Sequence, residues 1–245
     1  MNDPSHLLAP NRYCRRTFLQ RLAVGALATC LLSRRAPASP RGSQFGWARL
    51  VTPSPYWNVH QEQDAQLARF VRDETGMAID PVTYAVPPSS LEQLCTFPLI
   101  FTNDLLPVTD PAQLANIKEY LLRGGFFYID GCVERKVTPN FSQFFHRHVQ
   151  FYQRMFPSAQ VRMLPENHPI FHAYFQLNEA DTRNGRGARG HWDDVAEGIY
   201  GVYDGDRLIS LFSLDHLQCG WPNDSERMAA CMKLIANIYV YAMMR

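Results

Sequence analysis

The sequence predicts an α/β fold: a mainly parallel sheet with helices on both faces, finished by a C-terminal hairpin and helix. Three observations carry that prediction. Phe97-Pro98-Leu99-Ile100-Phe101 is a continuous apolar run of the kind a strand buried on both faces shows. After it, Leu114, Ile117, Leu121 and Leu122 form one helical stripe, with Thr109 or Asp110 to cap, Pro111 in the first turn and Gly124-Gly125 to stop it. Phe126-Phe127-Tyr128-Ile129 then reads as a second buried strand, and strand, helix, strand in that order implies a right-handed parallel crossover.

The other elements follow from the same patterns. Residues 39–44 are rich in Ser, Pro, Arg and Gly and read as a linker, and residues 45–51 as the first strand. Ala65, Leu67, Ala68, Phe70 and Val71 predict a helix over 61–74, stopped by Gly76, with a short strand at 77–79. The aromatic-rich segment 141–156 is the next helix and 160–164 the next strand. Residues 178–194, with Gly185, Gly187 and Gly190 among polar and basic neighbours, form the longest loop, and such loops often carry function. Residues 198–203 and 207–212 are two strands around the tight turn Asp204-Gly205-Asp206. A last helix starts near Asp224 or Ser225 and aligns Met228, Cys231, Leu234, Ile235, Ile238 and Ala242. Its polar side, with Arg227, Lys233 and Asn237, implies packing on the sheet rather than crossing a membrane.

The amino terminus reads as an address. Arg15-Arg16-Thr17-Phe18-Leu19, an apolar run over 22–32 and Ala36-Pro37-Ala38 resemble a twin-arginine export signal, cleaved after Ala38. The apolar run is far shorter than the roughly 20 residues that span a bilayer. Leu27-Ala28-Thr29-Cys30 loosely resembles a lipidation motif, but Thr29 fits it poorly, so cleavage is favoured over an anchor at Cys30. The expected organisation is a signal over 1–38, a linker over 39–44 and one domain over 45–245. The expected partner in export is the twin-arginine translocase, and the expected location is the periplasm or extracytoplasmic face. Losing the leader turns 24 basic and 23 acidic residues into 18 and 22, so the mature chain is mildly acidic, which argues against a nucleic-acid partner. Four cysteines would remain, Cys95, Cys132, Cys219 and Cys231, with three possible pairings and no CxxC spacing. Cys95, beside an apolar strand, and Cys231, on a helix core face, read as buried free thiols.

In open α/β sheets ligands bind beyond the carboxyl ends of the strands, which selects Asn103, Asp104, Asp130, Cys132, Asp215 and His216. Asp130 closes an apolar strand, where an acid must cap a turn, pair with a base or bind a metal. Cys132 has the strand end of a nucleophile but shows no base in sequence, and Asp130-Gly131-Cys132-Val133-Glu134 lacks the G-x-C-x-G elbow of amidotransferases, so a structural thiol is the preferred reading. His168 and His172 share a face only in a helix, and His168 before Pro169 more naturally anchors a turn than ligates a metal. His146 and His148 point to different helix faces. His191-Trp192-Asp193-Asp194 joins an imidazole, an indole and two carboxylates at the end of the glycine-rich loop, with Tyr56 and Trp57 on the same rim. No Walker loop, G-x-G-x-x-G, H-E-x-x-H or G-x-S-x-G occurs, and no cofactor motif is present.

Several segments together resemble one bacterial family, the domain of unknown function DUF 4159. They are Phe45-x-Trp47-Ala48-Arg49-Leu50, Phe97-Pro98-Leu99-Ile100-Phe101, Tyr120-Leu121-Leu122-Arg123-Gly124-Gly125-Phe126-Phe127-Tyr128-Ile129-Asp130, Phe156-Pro157, Leu164-Pro165-Glu166-Asn167-His168-Pro169-Ile170-Phe171-His172, Gly198-Ile199-Tyr200 and Asn237-Ile238-Tyr239-Val240-Tyr241-Ala242-Met243. The resemblance implies a flavodoxin-like sheet similar to that of class I glutamine amidotransferases, an exported or membrane-associated setting, and no established activity. After the last strand the chain keeps Asp215 and Trp221 but places Pro222 where the family has a glutamate. The resulting expectation is a non-catalytic exported domain that binds a cell-envelope ligand or protein partner. Asn103, Asp130, His168, His191, Trp192 and Trp221 are the binding candidates. The alternatives are an envelope hydrolase using Asp130, Asp215 and His216, and a scaffold subunit of a membrane-associated complex.

Overall fold

The computed structural model describes residues 44–80, 82–132, 134–178, 191–215, 217–220 and 226–245. The expected signal residues Arg15, Arg16, Phe18, Leu19, Ala36 and Ala38, as well as Cys30, His216 and Trp221, lie outside them.

Eleven strands are present among the described residues: β1 (Gln44–Phe45), β2 (Ala48–Leu50), β3 (Ala78–Ile79), β4 (Tyr84–Val86), β5 (Leu99–Thr102), β6 (Phe126–Asp130), β7 (Gln160–Met163), β8 (His191–Trp192), β9 (Val195–Ala196), β10 (Ile199–Asp204) and β11 (Arg207–Ser213). The helices are α1 (Asp64–Thr75), α2 (Leu91–Thr96), α3 (Pro111–Leu122), α4 (Phe141–Met155) and α5 (Glu226–Met243). Seven strands form the main sheet in the order β4-β2-β5-β6-β11-β10-β7, and β10 alone runs against the rest. The fold is therefore a mixed α/β, flavodoxin-like one.

Both faces of this sheet are covered, and strand alternation divides the core accordingly. Leu99, Phe101, Phe126 and Tyr128 pack with Leu67 and Val71 of α1 and with Leu234, Ile235 and Ile238 of α5. Their neighbours Ile100, Phe127 and Ile129 pack with Leu94 of α2, Ile117 and Leu121 of α3 and Phe151 of α4. The uninterrupted apolar runs of β5 and β6 are what such two-sided burial requires. Helix α3 ends as its sequence implies: Asp110 accepts a hydrogen bond from the Gln113 N–H, Pro111 opens the first turn, and Gly124 takes φ +94°.

Gly125 is needed for a different reason. A Cβ there would stand 2.2 Å from the Tyr120 ring. That ring cannot yield, because its hydroxyl lies 3.1 Å from the Phe97 and Phe126 carbonyls and accepts from the Phe126 N–H at 3.0 Å. Gly125→Ala is expected to cost about 1–3 kcal/mol by overpacking. A lower urea midpoint at unchanged m-value would show it; an unshifted midpoint would mean the ring does move.

The structure corrects the sequence reading in three places. The first strand is split at Gly46 and Trp47, and β1 pairs with β3 in a separate ribbon instead of extending β2. Edge strand β4 and the short α2 were not anticipated, because Pro87 and Pro88 obscure both patterns. The expected C-terminal hairpin β10–β11 is present, and the structure adds its place in the sheet: β11 pairs parallel with β6, and β7 closes the far edge on β10. Cys95 is exposed, since α2 turns Leu94 to the core and the next residue outward. Cys231 is fully buried.

Candidate functional site

The main-sheet order places the second and third strands on opposite sides of the first, so the sheet grows in opposite directions from β2. The crevice at such a switch point lies beyond the carboxyl ends of β2 and β5. The loops after β2, β5, β6 and β11 meet there.

The β2 loop is held from below by a charge inside the strand. Arg49 is fully buried, and its guanidinium makes two bonds to the equally buried Asp64 carboxylate, Nε to Oδ2 at 2.7 Å and Nη2 to Oδ1 at 2.6 Å. Its Nη1 donates to the Val59 carbonyl at 3.0 Å. His60 follows in the left-handed region, φ 56°, an uncommon conformation for a residue with a Cβ. Such strain persists where the surroundings over-determine it.

The β11 loop is held by Asp130. Its buried carboxylate accepts from the Gln218 N–H at 2.6 Å and the Leu217 N–H at 3.2 Å, fastening the 3-10 turn Leu217–Gly220 to the end of β6. Burial outweighs these bonds and pushes the Asp130 carboxyl up to about 8. Asn103, after β5, donates to both the Asp130 carbonyl at 3.0 Å and Gln218 Oε1 at 2.9 Å, while Gln218 Nε2 donates to the Val59 carbonyl at 3.1 Å. One network thus joins all four loops.

The β6 loop supplies Cys132. Gly131 lets the chain pass against Phe141, whose ring would lie 2.5 Å from an added Cβ, and the Cys132 N–H donates to Thr138 Oγ1 at 3.1 Å. Cys132 Sγ then sits 3.6 Å from Cys219 Sγ and 3.7 Å from His60 Nε2, and it accepts from the Glu134 N–H at 3.5 Å. The three donor atoms of His60, Cys132 and Cys219 lie within 4.8 Å of one another. The Cys219 thiol hydrogen bond, followed by the Glu134 N–H and His60, lowers the Cys132 thiol to about 6 against the opposing effect of burial. Stability from this lowering is complete above the ordinary thiol value of 9.0 and is lost as pH falls through about 6.

A thiolate beside an imidazole invites comparison with a cysteine nucleophile, but the orientation differs. A relay needs one ring nitrogen on the thiol and the other on an orienting carboxylate. Here the nitrogen facing Cys132, His60 Nε2, is also 3.1 Å from Glu134 Oε1, and Nδ1 lies 3.8 Å from Glu62 Oε1, beyond hydrogen-bond length. Glu134 is in turn paired with Lys136 at 2.7 Å.

Of the residues singled out from sequence, Asn103, Asp130 and Cys132 come together here. Asp215 is buried nearby, its N–H donating to Ser213 Oγ, and burial, with Asp130 and Asp215 adding to it, raises the Tyr128 hydroxyl well above its usual value. Trp192 borders the region as a pin: it stacks on Phe141 at 4.3 Å and donates to the Leu214 carbonyl at 3.1 Å. Asp194 accepts from Ser142 at 2.5 Å and pairs with His146 at 2.8 Å, tying the same hairpin to α4. The His191 side chain lies outside the described residues. His168 is elsewhere, since it packs on Tyr241, which also touches Phe126 at the amino end of β6. Its Nδ1 accepts from the Ile170 N–H, capping the 3-10 turn Pro169–His172 that ends in the exposed His172. The sequence reading missed His60, Cys219 and Gln218. The available signal was Arg49, a cation within an apolar strand that required a buried acid nearby.

The family model described as a domain of unknown function (DUF4159) matches residues 47–243. The chain belongs to the DUF4159 family. The DUF4159 span runs from the start of the β2 region to the end of α5 and contains every residue of the thiol–imidazole cluster. No curated protein matches this DUF4159 chain.

Proposed function

We propose that this DUF4159 protein is an exported, non-catalytic binding domain whose ligand sits beyond the carboxyl ends of β2, β6 and β11. The observation that carries the reading is the network through Arg49, Asn103, Asp130 and Gln218, which preorganises three donor side chains without using them as a relay. Export through the twin-arginine translocase rests on Arg15-Arg16 and the apolar run behind them. The likeness to class I glutamine amidotransferases belongs to the same proposal: Cys132 follows a parallel strand, but without their elbow motif. An Asp/His hydrolase is disfavoured because the Asp130 carboxylate is already engaged by two backbone N–H groups. A scaffold role finds little support among the described residues, where the exposed large apolar side chains Val82, Leu122, Tyr174 and Met244 lie on separate segments.

The test is a thermal-shift titration of the full chain with muropeptides, small organic anions and metal ions, run beside hydrolysis of simple esters and amides. A saturable shift that Cys132→Ser removes, with no turnover, is the expected result. Saturable hydrolysis lost in Cys132→Ser would replace the binding reading with a thiol hydrolase, and no shift with any class would overturn it.

A further inference from the structure

We propose that the ligand is a thiophilic metal ion of the zinc type, held by Cys132 Sγ, Cys219 Sγ and His60 Nε2 with one coordination position left open. This rests on the binding reading above and names its ligand class.

Distances decide between the candidate roles of the two thiols. A disulfide holds its sulfurs about 2.05 Å apart, whereas these stand at 3.6 Å. Zinc takes sulfur at about 2.3 Å and imidazole nitrogen at about 2.0–2.1 Å in tetrahedral geometry, which puts two sulfurs about 3.8 Å apart and a sulfur and a nitrogen about 3.6 Å apart. Two of the three edges here match, 3.6 Å between the sulfurs and 3.7 Å from Cys132 to His60, and the third, from Cys219 to His60, lies within 4.8 Å and closes on the ion as it binds. Two thiolates and an imidazole form a soft donor set that selects zinc or copper(I) over magnesium or calcium.

The surroundings fit the same chemistry. With Nε2 on the ion, the ring proton of His60 resides on Nδ1, where Glu62 Oε1 at 3.8 Å is too far to accept it as a hydrogen bond, so the Nδ1 proton faces the partly exposed side of the ring. The Glu134 N–H donates to Cys132 Sγ, a bond that stabilises a thiolate. Glu134 Oε1 stands 3.1 Å from Nε2, so an acid already borders the ligand set. On binding, the Cys132 and Cys219 thiols give up their two protons to solvent, both sulfurs ligate as thiolates, and their two charges balance a divalent ion. Ligands from three loops, all fastened through Asp130, Gln218 and Arg49, require little reorganisation to close on it.

The experiment is a titration with cobalt(II), a spectroscopic substitute for zinc, of the full chain carrying Cys14→Ser and Cys30→Ser to remove the leader thiols, under a phosphine reductant. The expected result is one ion per chain with thiolate-to-cobalt charge-transfer absorption, displaced by zinc. Cys132→Ser and Cys219→Ser abolish the absorption, His60→Gln weakens binding by on the order of tenfold or more, and Cys95→Ser changes nothing. Circular dichroism checks that each variant is folded, and His60→Gln keeps the test decisive if a cysteine variant is not. No charge-transfer absorption while thiol reagent counts the cysteines as free, or absorption that survives loss of Cys132 and Cys219, overturns the metal assignment. A muropeptide or organic-anion shift that depends on Cys132 would leave the binding reading standing with the metal excluded; absence of both removes both.

Discussion

Asp64→Ala is expected to lower the unfolding free energy by about 3–5 kcal/mol, among the largest effects of any single substitution in this chain. The reason lies in what remains. Arg49 and Asp64 are both fully shielded from water, and removing the carboxylate leaves a guanidinium in the core with its Val59 bond as the remaining strong contact. Charged groups stranded this way cost several kcal/mol, while replacing both partners with apolar side chains often costs little. Arg49→Met with Asp64→Leu should therefore recover most of what Asp64→Ala loses. Denaturant unfolding of the three variants measures this directly. If Asp64→Ala stays within about 1 kcal/mol of the parent, the pair is not the buried clamp described above. The same substitution reaches the site, because Arg49 positions the carbonyl just before His60, so metal-ion or ligand shifts should weaken along with stability.

The second large effect is a pH dependence centred on Asp130. Its carboxyl moves from 3.8 in the unfolded chain to about 8 in the fold. Between these values the native state holds a proton that the unfolded state has released, so the unfolding free energy falls as pH rises, by at most about 1.4 kcal/mol per pH unit. The contribution is complete below about pH 4 and gone above about pH 8. Cys132 works in the opposite sense between about 6 and 9.0, since there the native state has released a proton that the unfolded thiol still holds. The steepest loss is therefore expected between about pH 4 and 6, with partial cancellation above. Asp130→Asn removes the first contribution. Urea unfolding at pH 5 and pH 8.5 should find the stability of the Asp130→Asn variant relative to the parent rising by a few kcal/mol from the lower pH to the higher. A gap independent of pH would mean that Asp130 titrates as an ordinary carboxyl and that its bonds to Leu217 and Gln218 prevail over burial.

Much of the fold is legible in the sequence because its signals are local. Leu99 through Phe101 and Phe126 through Ile129 are apolar without interruption, and a strand reads that way when both its faces are covered. Pro111 and Gly124 mark the ends of α3 because backbone geometry at helix termini favours them there. Where two short elements share a proline-rich stretch, as β4 and α2 do, the local signal is too weak to resolve them. The position of the hairpin was also hidden, because alternation states that β10 and β11 pair but says nothing about which older strand accepts β11.

The site divides along the same line. Sequence alone determined that polar residues follow the strands, and thereby selected Asn103, Asp130 and Cys132, since a parallel sheet exposes its carboxyl ends to ligands. Only the tertiary structure brought His60 and Cys219 to Cys132, from 72 and 87 residues away in the chain. No spacing rule could announce that meeting. It depends on strand order, which puts β2 and β11 within reach of the end of β6, and on Asp130, Gln218 and Arg49, whose buried hydrogen bonds hold three loops against the entropy that would separate them.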